Sequence, residues 1–311
     1  MILTPGGRRI GRSIAALAAG LLVVAACGGD DDSAAGAADG PYVVATTGIW
    51  ADVASMVACD GTFDVETLLP TGTDTHAYEP SLRDRTVLDG AALVVANGLG
   101  LEERLDDTLE TVEDGGVPVF RVGDHVETLG GTDDDHAGAD PHVWFDPTRV
   151  SAALPALGEA LVAAGADSGR IDQCVATAQD ELTALDASVS DSLAAISAAR
   201  RVLVTNHDSL AYFADRYDFT VLGSILPSTS TLTEASPGQL EELGQAIEAE
   251  GVPAIFAESV NSTSDADALA DRLGVEVVVL YTESLGEPGS GAETYPDLMR
   301  FDANAIANAL G

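Results

Sequence analysis

The chain has 311 residues, of which 51 are acidic and 14 basic, so its formal net charge at pH 7 is −37. A charge of this sign repels nucleic acid and anionic substrates, and it concentrates cations near the surface. Acidic surfaces also reflect habitat and solubility, so the charge alone adds little support for cation binding. Hydrophobic residues make up 46% of the chain, which argues against a disordered protein in spite of the charge.

The first 26 residues have the pattern of a secretory signal peptide. Three arginines lie among the first 12 residues, and the apolar run at 14–26 is shorter than the roughly 20 residues that cross a bilayer. The run ends in VAAC at 24–27, which resembles the lipobox of bacterial lipoproteins, with Val24 where Leu is preferred. This pattern predicts cleavage before Cys27 and lipid attachment to it. The alternative is an ordinary signal peptide with an incidental cysteine.

A stretch rich in Gly, Asp and Ala follows Cys27 and runs to Gly40 without an apolar period. Residues 27–40 are therefore predicted to form a lipidated, flexible tether. No later segment is long and apolar enough to span a membrane. We expect an extracytoplasmic protein that is anchored to the cell membrane by lipid.

From Pro41 onward, short β-rich runs alternate with amphipathic stretches. Strands are predicted at 42–46, 63–69, 91–96, 117–122, 201–205, 219–225, 253–257 and 275–280. Helices are predicted at 50–58, 81–88, 101–112, 148–164, 209–216, 237–250, 264–273 and 294–310. This alternation predicts an α/β fold with parallel sheets covered by helices. Four strands on each side of the midpoint predict two lobes, at 41–166 and 200–311.

The segment between the lobes, 167–199, is predicted to be one long helix. It contains no Gly or Pro after Gly169, and apolar residues recur at three- and four-residue steps from Leu182 to Ile196. A helix of about 30 residues would be about 45 Å long and would join the lobes as a stiff strut. Two shorter helices with a kink are the alternative, but no helix breaker interrupts the run.

Three of the five histidines and one glutamate follow predicted strands. His76 comes after the second strand, His142 after the fourth, His207 after the fifth and Glu283 after the eighth. Ligands of open α/β sheets bind at the carboxyl ends of the strands, so two facing edges would bring these residues into one cleft. Three imidazoles and a carboxylate form a tetrahedral set that suits zinc. Each histidine taken singly could be a cap or a surface residue.

Cys59 and Cys174 are predicted to form a disulfide, because an even pair in an oxidising compartment is usually bonded. Neither lies in a CxxC motif. Cys59 ends the first predicted helix, and Cys174 lies near the start of the linking helix, so both fall at the base of the first lobe. Two separate buried thiols are the alternative.

The segments around the four candidate ligands resemble the cluster A-I solute-binding proteins, the zinc and manganese receptors of ABC transporters. The resemblance extends from Tyr42 to Leu310 and is carried by DPH at 140–142 with Trp144, and by NHD at 206–208 followed by Tyr212 and Phe213. It implies two four-stranded α/β lobes bridged by one long helix. It also implies a membrane permease as partner, and metal coordination by His76, His142, His207 and Glu283. We expect a monomer.

Three positions depart from the family pattern. Thr75 stands where Pro is common, which would loosen the loop but spare the ligand His76. Glu283 stands where Asp is usual, so the carboxylate could bind through one oxygen or two. Asp218 replaces a frequent Gly and is predicted to be a surface turn variation.

His207 favours zinc as the ion, since family members that prefer manganese usually present two histidines and two carboxylates; manganese is the alternative. The acidic loop of Asp133, Asp134, Asp135 and His136 lies where zinc receptors often carry a metal-collecting insert. A solvated loop explains it equally well. His125 and His136 are the only imidazoles between the fourth predicted strand and His142.

Two other functions are less consistent with the sequence. A catalytic zinc keeps one position for water, but four protein ligands leave none, and neither H-E-x-x-H nor G-x-S-x-G occurs, so an enzyme is not expected. Lipoproteins of this family have also been described as adhesins, although the sequence shows no repeats or stalk that would argue for adhesion.

Overall fold

A computed structural model describes residues 40–59, 61–130 and 138–311. The predicted signal peptide, Cys27 with the tether as far as residue 39, and the acidic loop at Asp133–His136 lie outside these residues. Within the described ranges, no helix combines the length and the apolar character that crossing a membrane requires.

Eight strands form two four-stranded sheets. They are β1 (Tyr42–Ala45), β2 (Asp64–Thr67), β3 (Leu93–Ala96), β4 (Val119–Arg121), β5 (Val202–His207), β6 (Thr220–Leu226), β7 (Ala254–Glu258) and β8 (Glu276–Leu280). Their order is β2-β1-β3-β4 in the first sheet and β6-β5-β7-β8 in the second, and every pairing is parallel. The predicted fold class is confirmed, and both lobes repeat one strand order.

Nine helices of the described chain surround these sheets. They are α1 (Gly48–Ala58), α2 (Leu82–Asp89), α3 (Asp106–Asp114), α4 (Pro147–Ala163), α5 (Ser168–Leu193), α6 (Ala211–Tyr217), α7 (Pro237–Glu250), α8 (Ser264–Leu273) and α9 (Tyr295–Leu310). Side-chain caps fix several starts: Asp167 accepts from the backbone N–H of Arg170, and Ser236 forms a capping box with Gln239. α3 starts later than predicted because the Glu102 side chain is buried under the preceding turn and accepts from the backbone N–H groups of Asn97 and Gly98.

Each sheet has one face on a shared core and one on a core of its own. Val43 and Ala45 of β1 face the shared core, whereas Val44 faces a separate cluster, as the period of two in a strand requires. Leu203 and Val204 of β5 divide in the same way. The shared core also contains the apolar stripe of α5, so the two lobes and the linking helix are packed together.

The linking helix is single, but it is shorter than the sequence predicts. It ends at Leu193 after 26 residues, which corresponds to about 39 Å, instead of continuing to residue 199. The guanidinium of Arg201 donates to the backbone carbonyls of Leu193 (3.1 Å) and Ile196 (3.2 Å). These bonds satisfy carbonyls at the helix end and turn the chain into β5. α5 packs on α1 and α4 of the first lobe and on α9 of the second.

The sulfurs of Cys59 and Cys174 are bonded in the structure, with their Cα atoms 5.7 Å apart. Cys59 is the residue that ends α1, and Cys174 is buried in the second turn of α5. The bridge therefore ties the first lobe to the linking helix.

Asp218, where the family pattern has a frequent Gly, ends α6 in the left-handed conformation, with φ of 57°, and is exposed. Glycine is the residue that adopts this conformation most easily, and aspartate tolerates it as a single residue.

Candidate metal centre

The structure brings the four predicted ligands together between the two sheets. His76 lies in the loop after β2, and His142 lies just before the short turn that leads into α4. His207 is the last residue of β5, and Glu283 lies three residues beyond β8. All four are at most 2% exposed, and one nitrogen or oxygen atom from each lies within 4.8 Å of the others. Two ligands come from each lobe, as the sequence predicts.

Three of the distances between the donor atoms lie close to the edge of a tetrahedral zinc site. Nε2 of His207 lies 3.0 Å from Nε2 of His142 and 3.5 Å from Oε1 of Glu283. Nε2 of His76 lies 3.7 Å from the same Oε1. Zinc bonds of about 2.0–2.1 Å give a tetrahedral edge of about 3.3 Å. Nε2 of His76 and Oε1 of Glu283 have no hydrogen-bond partner although both are buried, so these atoms are available to a cation.

A carboxylate lies behind the Nδ1 atom of each histidine. Asp140 Oδ1 is 2.8 Å from Nδ1 of His142, and Glu258 Oε1 is 2.5 Å from Nδ1 of His207. Glu103 Oε1 is 3.4 Å from Nδ1 of His76. A hydrogen-bonded partner of this kind, as Asp140 is for His142, orients a metal-binding imidazole and leaves Nε2 for the metal. Nδ1 of His76 makes no hydrogen bond, so Glu103 is only an electrostatic neighbour of that ring.

These carboxylates were not predicted as site residues. Asp140 belongs to the quoted DPH motif, and Glu258 directly follows the predicted strand at 253–257. Its position beyond a buried strand, like that of Glu283, is the signal that could have revealed it. Nothing in the pattern distinguishes Glu103 from the other acidic residues of its segment.

The loop that carries His142 is held from several sides. The Asp140 carboxylate also accepts from the backbone N–H of His142, and the Asn97 side chain donates to the carbonyl of Pro141. The Trp144 indole N–H donates to the carbonyl of Thr282 in the other lobe at 2.8 Å. This loop, which is irregular in backbone, is therefore braced in one position.

Glu283 is connected to the opposite lobe through Thr75. The backbone N–H of Thr75 donates to Oε2 of Glu283 at 2.9 Å, which leaves Oε1 facing the histidines. A proline at position 75 would have no N–H to donate. The two departures from the family pattern, Thr75 and Glu283, thus contact each other across the cleft.

Burial shifts the pKa values of His76 in the first lobe and Glu283 in the second in opposite directions. Burial lowers the pKa of His76 to about 2, and the charges of His142 and His207 act in the same direction, so this imidazole is neutral throughout the physiological range. Burial raises the pKa of Glu283 to about 8, although the charge of His207 acts in the opposite direction. Glu283 therefore holds a proton at neutral pH that a cation must displace.

His207 and Glu258 form a buried pair. Burial lowers the pKa of His207, but its contact with Glu258 and the charges of Glu258 and Glu283 outweigh burial, so the pKa is raised. Burial raises the pKa of Glu258, but the hydrogen bond from His207 and the charge of that imidazole outweigh this effect and lower it. The lowered pKa favours the anionic form of Glu258.

One more histidine, His125, lies in the described part of the chain. It is not among the four residues of the cluster. Its ring stacks on Phe120, with the ring centroids 4.6 Å apart.

The protein has two α/β lobes, each with a parallel sheet, and one long helix joins them. This architecture, with four donor atoms between the lobes, is that of a metal-binding substrate-binding protein. The family described as ZnuA, zinc-uptake complex component A periplasmic, matches residues 43–309. The chain belongs to this family: it is an extracytoplasmic metal-binding protein of the zinc/manganese type that serves an ABC transporter, and it is not an enzyme.

Individual relatives are similar over most of their length. The chain is 33% identical to the zinc-binding protein TroA of Treponema pallidum (strain Nichols), over 88% of this chain and 90% of that protein. It is 28% identical to the manganese-binding lipoprotein MntA of Halalkalibacterium halodurans, over 88% of this chain and 89% of that protein. The solved structure of the periplasmic zinc-binding protein TroA from T. pallidum covers 87% of this chain and 99% of its own, with a TM-score of 0.80 and 30% identity.

Proposed function

We propose that this protein captures one Zn(II) ion between its lobes, through Nε2 of His76, His142 and His207 and one oxygen of Glu283, and delivers it to the membrane permease of the transporter. The observation that carries the proposal is the convergence of three buried Nε2 atoms and one unpartnered carboxylate oxygen within 4.8 Å. In this proposal zinc is cargo, bound with four protein ligands and without an open position.

The choice of zinc over manganese rests on the donor set. Neutral imidazole suits zinc, whereas manganese prefers carboxylate, carbonyl and water oxygens. His207 supplies a third nitrogen, and Thr75 occupies one of the two Glu283 oxygens, so one oxygen donor is left among the four ligand atoms. A manganese site would use the carboxylate through both oxygens or add a second carboxylate.

The proposal includes attachment to the outside of the cell membrane through lipid on Cys27, with 27–40 as the tether. A short tether would keep the metal-loaded lobes close to the permease. Loss of membrane association in Cys27→Ser, measured by fractionation of cells that express the full chain, would support this part.

The metal can be tested on the chain from residue 41, stripped with a chelator and offered equal zinc and manganese. We expect native mass spectrometry and elemental analysis to find one zinc per chain. A matched sample of His76→Ala/His142→Ala should retain neither ion. Manganese loading of the parent protein, or failure to bind either ion, would contradict the proposal.

A further inference from the structure

One hydroxyl of the second lobe joins the two sides of a short stem in the first lobe. The stem consists of residues 129–130 and 139–140, which run antiparallel to each other. Within it, the backbone N–H of Asp140 donates to the carbonyl of Leu129 at 2.9 Å. The hydroxyl belongs to Tyr212 of α6, whose side chain is buried. A contact between the lobes is therefore built into this stem.

The Tyr212 hydroxyl completes the pairing of the stem. It accepts from the backbone N–H of Leu129 at 2.9 Å and donates to the carbonyl of Asp140 at 2.8 Å. In a regular antiparallel pair these two backbone groups bond to each other, so the hydroxyl takes the place of the second bond. A hydroxyl can do this because it both donates and accepts, whereas a phenyl ring does neither.

The ring of Tyr212 is held in place by Arg149 of the first lobe, whose guanidinium carbon lies 4.8 Å from the ring centroid. The same guanidinium donates to the carbonyl of Glu127, just before the stem, at 2.9 Å, and to the carboxylate of Asp215 at 3.1 Å. Asp215 and Tyr212 are three residues apart in α6, so they lie on the same side of the helix. One face of α6 therefore contacts the first lobe through a hydroxyl, an aromatic ring and an ion pair.

The stem leads directly to the ligand His142. The carboxylate of Asp140 accepts from the backbone N–H of His142 at 2.9 Å and lies 2.8 Å from its Nδ1. Asp140 is thus bonded to Tyr212 through its carbonyl and to the imidazole through its carboxylate. The orientation of His142 is therefore connected to a side chain of the opposite lobe.

We propose that Tyr212 is a positioning residue for metal capture: its hydroxyl, supplied by the second lobe, fixes Asp140 and through it the imidazole of His142. His142 is then held in its binding orientation only while α6 contacts the stem. Metal binding at His142 and contact between the lobes at this point are thereby linked, although Tyr212 does not touch the ion. This inference rests on the proposed function, since it concerns a ligand of the same site.

The first experiment compares Tyr212→Phe with the parent in the full chain. Zinc affinity is measured by competition with a chelator, and the rate of zinc release by transfer to excess chelator. We expect about a tenfold loss of affinity, the lower end of the range for losing a partner behind a metal-binding histidine, and most of it as faster release. The phenyl ring keeps the packing and the contact with Arg149, and thermal unfolding without metal confirms that the variant is folded.

Tyr217→Phe is the matched control. Tyr217 is buried in the same helix, and its hydroxyl donates to Asp186 of α5 instead of the stem. This variant also loses one hydroxyl from α6, but it should bind and release zinc like the parent.

The second experiment repeats Tyr212→Phe in two backgrounds, His142→Ala and His76→Ala, each of which lacks one imidazole of the first lobe. If the hydroxyl acts through His142, its removal should have no further effect on zinc affinity in His142→Ala and should still cost about tenfold in His76→Ala. A general loosening of the lobes would instead give the same loss in both backgrounds. That result would overturn the inference, as would parental affinity and release rate in Tyr212→Phe itself.

Failure of the proposed function would be recognised separately, in the parent protein. A parent that prefers manganese contradicts the zinc assignment, and the same comparison of variants made with manganese then decides the role of Tyr212. Parental affinity in Tyr212→Phe, together with a loss in His142→Ala, overturns this inference alone.

Discussion

The two lobes share one strand order but hold their ligands in different ways. In the second lobe, His207 is part of β5 and is backed by Glu258 from the neighbouring strand, so regular sheet pairing places the imidazole. In the first lobe, His76 and His142 lie in loops, and side chains such as Asn97 and Asp140 brace the loop of His142. The same sheet edge can therefore be made rigid by strand register or by a local hydrogen-bond network.

The lobes also differ in how they are fastened to the linking helix. The first lobe is bonded to α5 through Cys59 and Cys174, whereas the second contacts it through non-covalent packing of α9. The lobe with the irregular ligand loops is thus the one with a covalent tie. The covalent tie therefore stabilises the first lobe as a whole, while the ligand loops depend on their own hydrogen bonds.

The largest effect is expected from removing the disulfide. Its 115-residue separation corresponds to about 4–5 kcal/mol of unfolding free energy in the chain-entropy description. Cys59→Ala/Cys174→Ala should lose about this much in denaturant unfolding, and reductant should affect the parent but not the variant. Zinc affinity should stay within about twofold of the parent, since the bridge lies at the base of the lobe. Two free thiols in the unfolded, unreduced mature domain would contradict the bond.

Removal of an imidazole should come next. His76→Ala, His142→Ala and His207→Ala are each expected to weaken zinc more than about 100-fold, beyond the effect of losing a partner behind a ligand. Glu283→Ala should have a smaller effect, because water can take its position. His125→Ala is the control, since His125 stacks on Phe120 outside the cluster. Calorimetric titration measures all five, and a parental affinity in any of the three histidine variants would remove that residue from the site.

The same site map predicts that His136→Ala in the acidic loop leaves equilibrium affinity nearly unchanged and at most slows loading. A large loss in that variant would move the metal site into the loop.

Two groups of the second lobe should contribute to the pH dependence. Protons compete through Glu283, whose pKa is raised to about 8, and through His207, whose pKa is also raised, but not through His76, whose pKa is about 2. Because Glu283 holds its proton below about pH 8, zinc affinity should rise with pH and level off above that value. We expect about a tenfold loss per pH unit for each proton displaced.

This window extends higher than the unperturbed histidine pKa of about 6.5 implies, because the proton on Glu283 is added to the competition. Titrations at pH 8, 6.5 and 5, in buffers of different ionisation enthalpy, would count the protons released. Glu283→Gln should flatten the upper part of the curve. Equal affinities at pH 8 and 5 in the parent would show that these groups do not bind the metal.

The smallest of the expected losses at the metal centre itself is at Thr75. Thr75→Pro removes the N–H that donates to Oε2 of Glu283, and a hydrogen bond to a charged group corresponds to about tenfold or more in affinity. Thr75→Ala keeps the N–H and should bind zinc like the parent. If both variants bind alike, the contact between the lobes at this point does not contribute to metal capture.

Local patterns were sufficient for the eight strands, their two groups and the four converging residues, because strand period and chain order are visible in sequence. The end of α5 could not be predicted from local patterns, because Arg201, which lies beyond the helix, donates to the carbonyls near its end. Likewise the alignment of Glu258 with His207 depends on the register of β5 and β7, which is set by packing between segments about 50 residues apart in the chain. What sequence reasoning missed were pairings between distant segments.

Trp144 gives the protein a built-in optical probe. It is one of two tryptophans in the chain, its ring centroid is 5.3 Å from that of His142, and its N–H reaches the carbonyl of Thr282 in the other lobe. The second tryptophan, Trp50, lies edge-on to it with centroids 6.4 Å apart. We therefore expect the emission of Trp144 to respond both to a charge that arrives at His142 and to the contact between the lobes, so that capture and release could be followed in real time without a label.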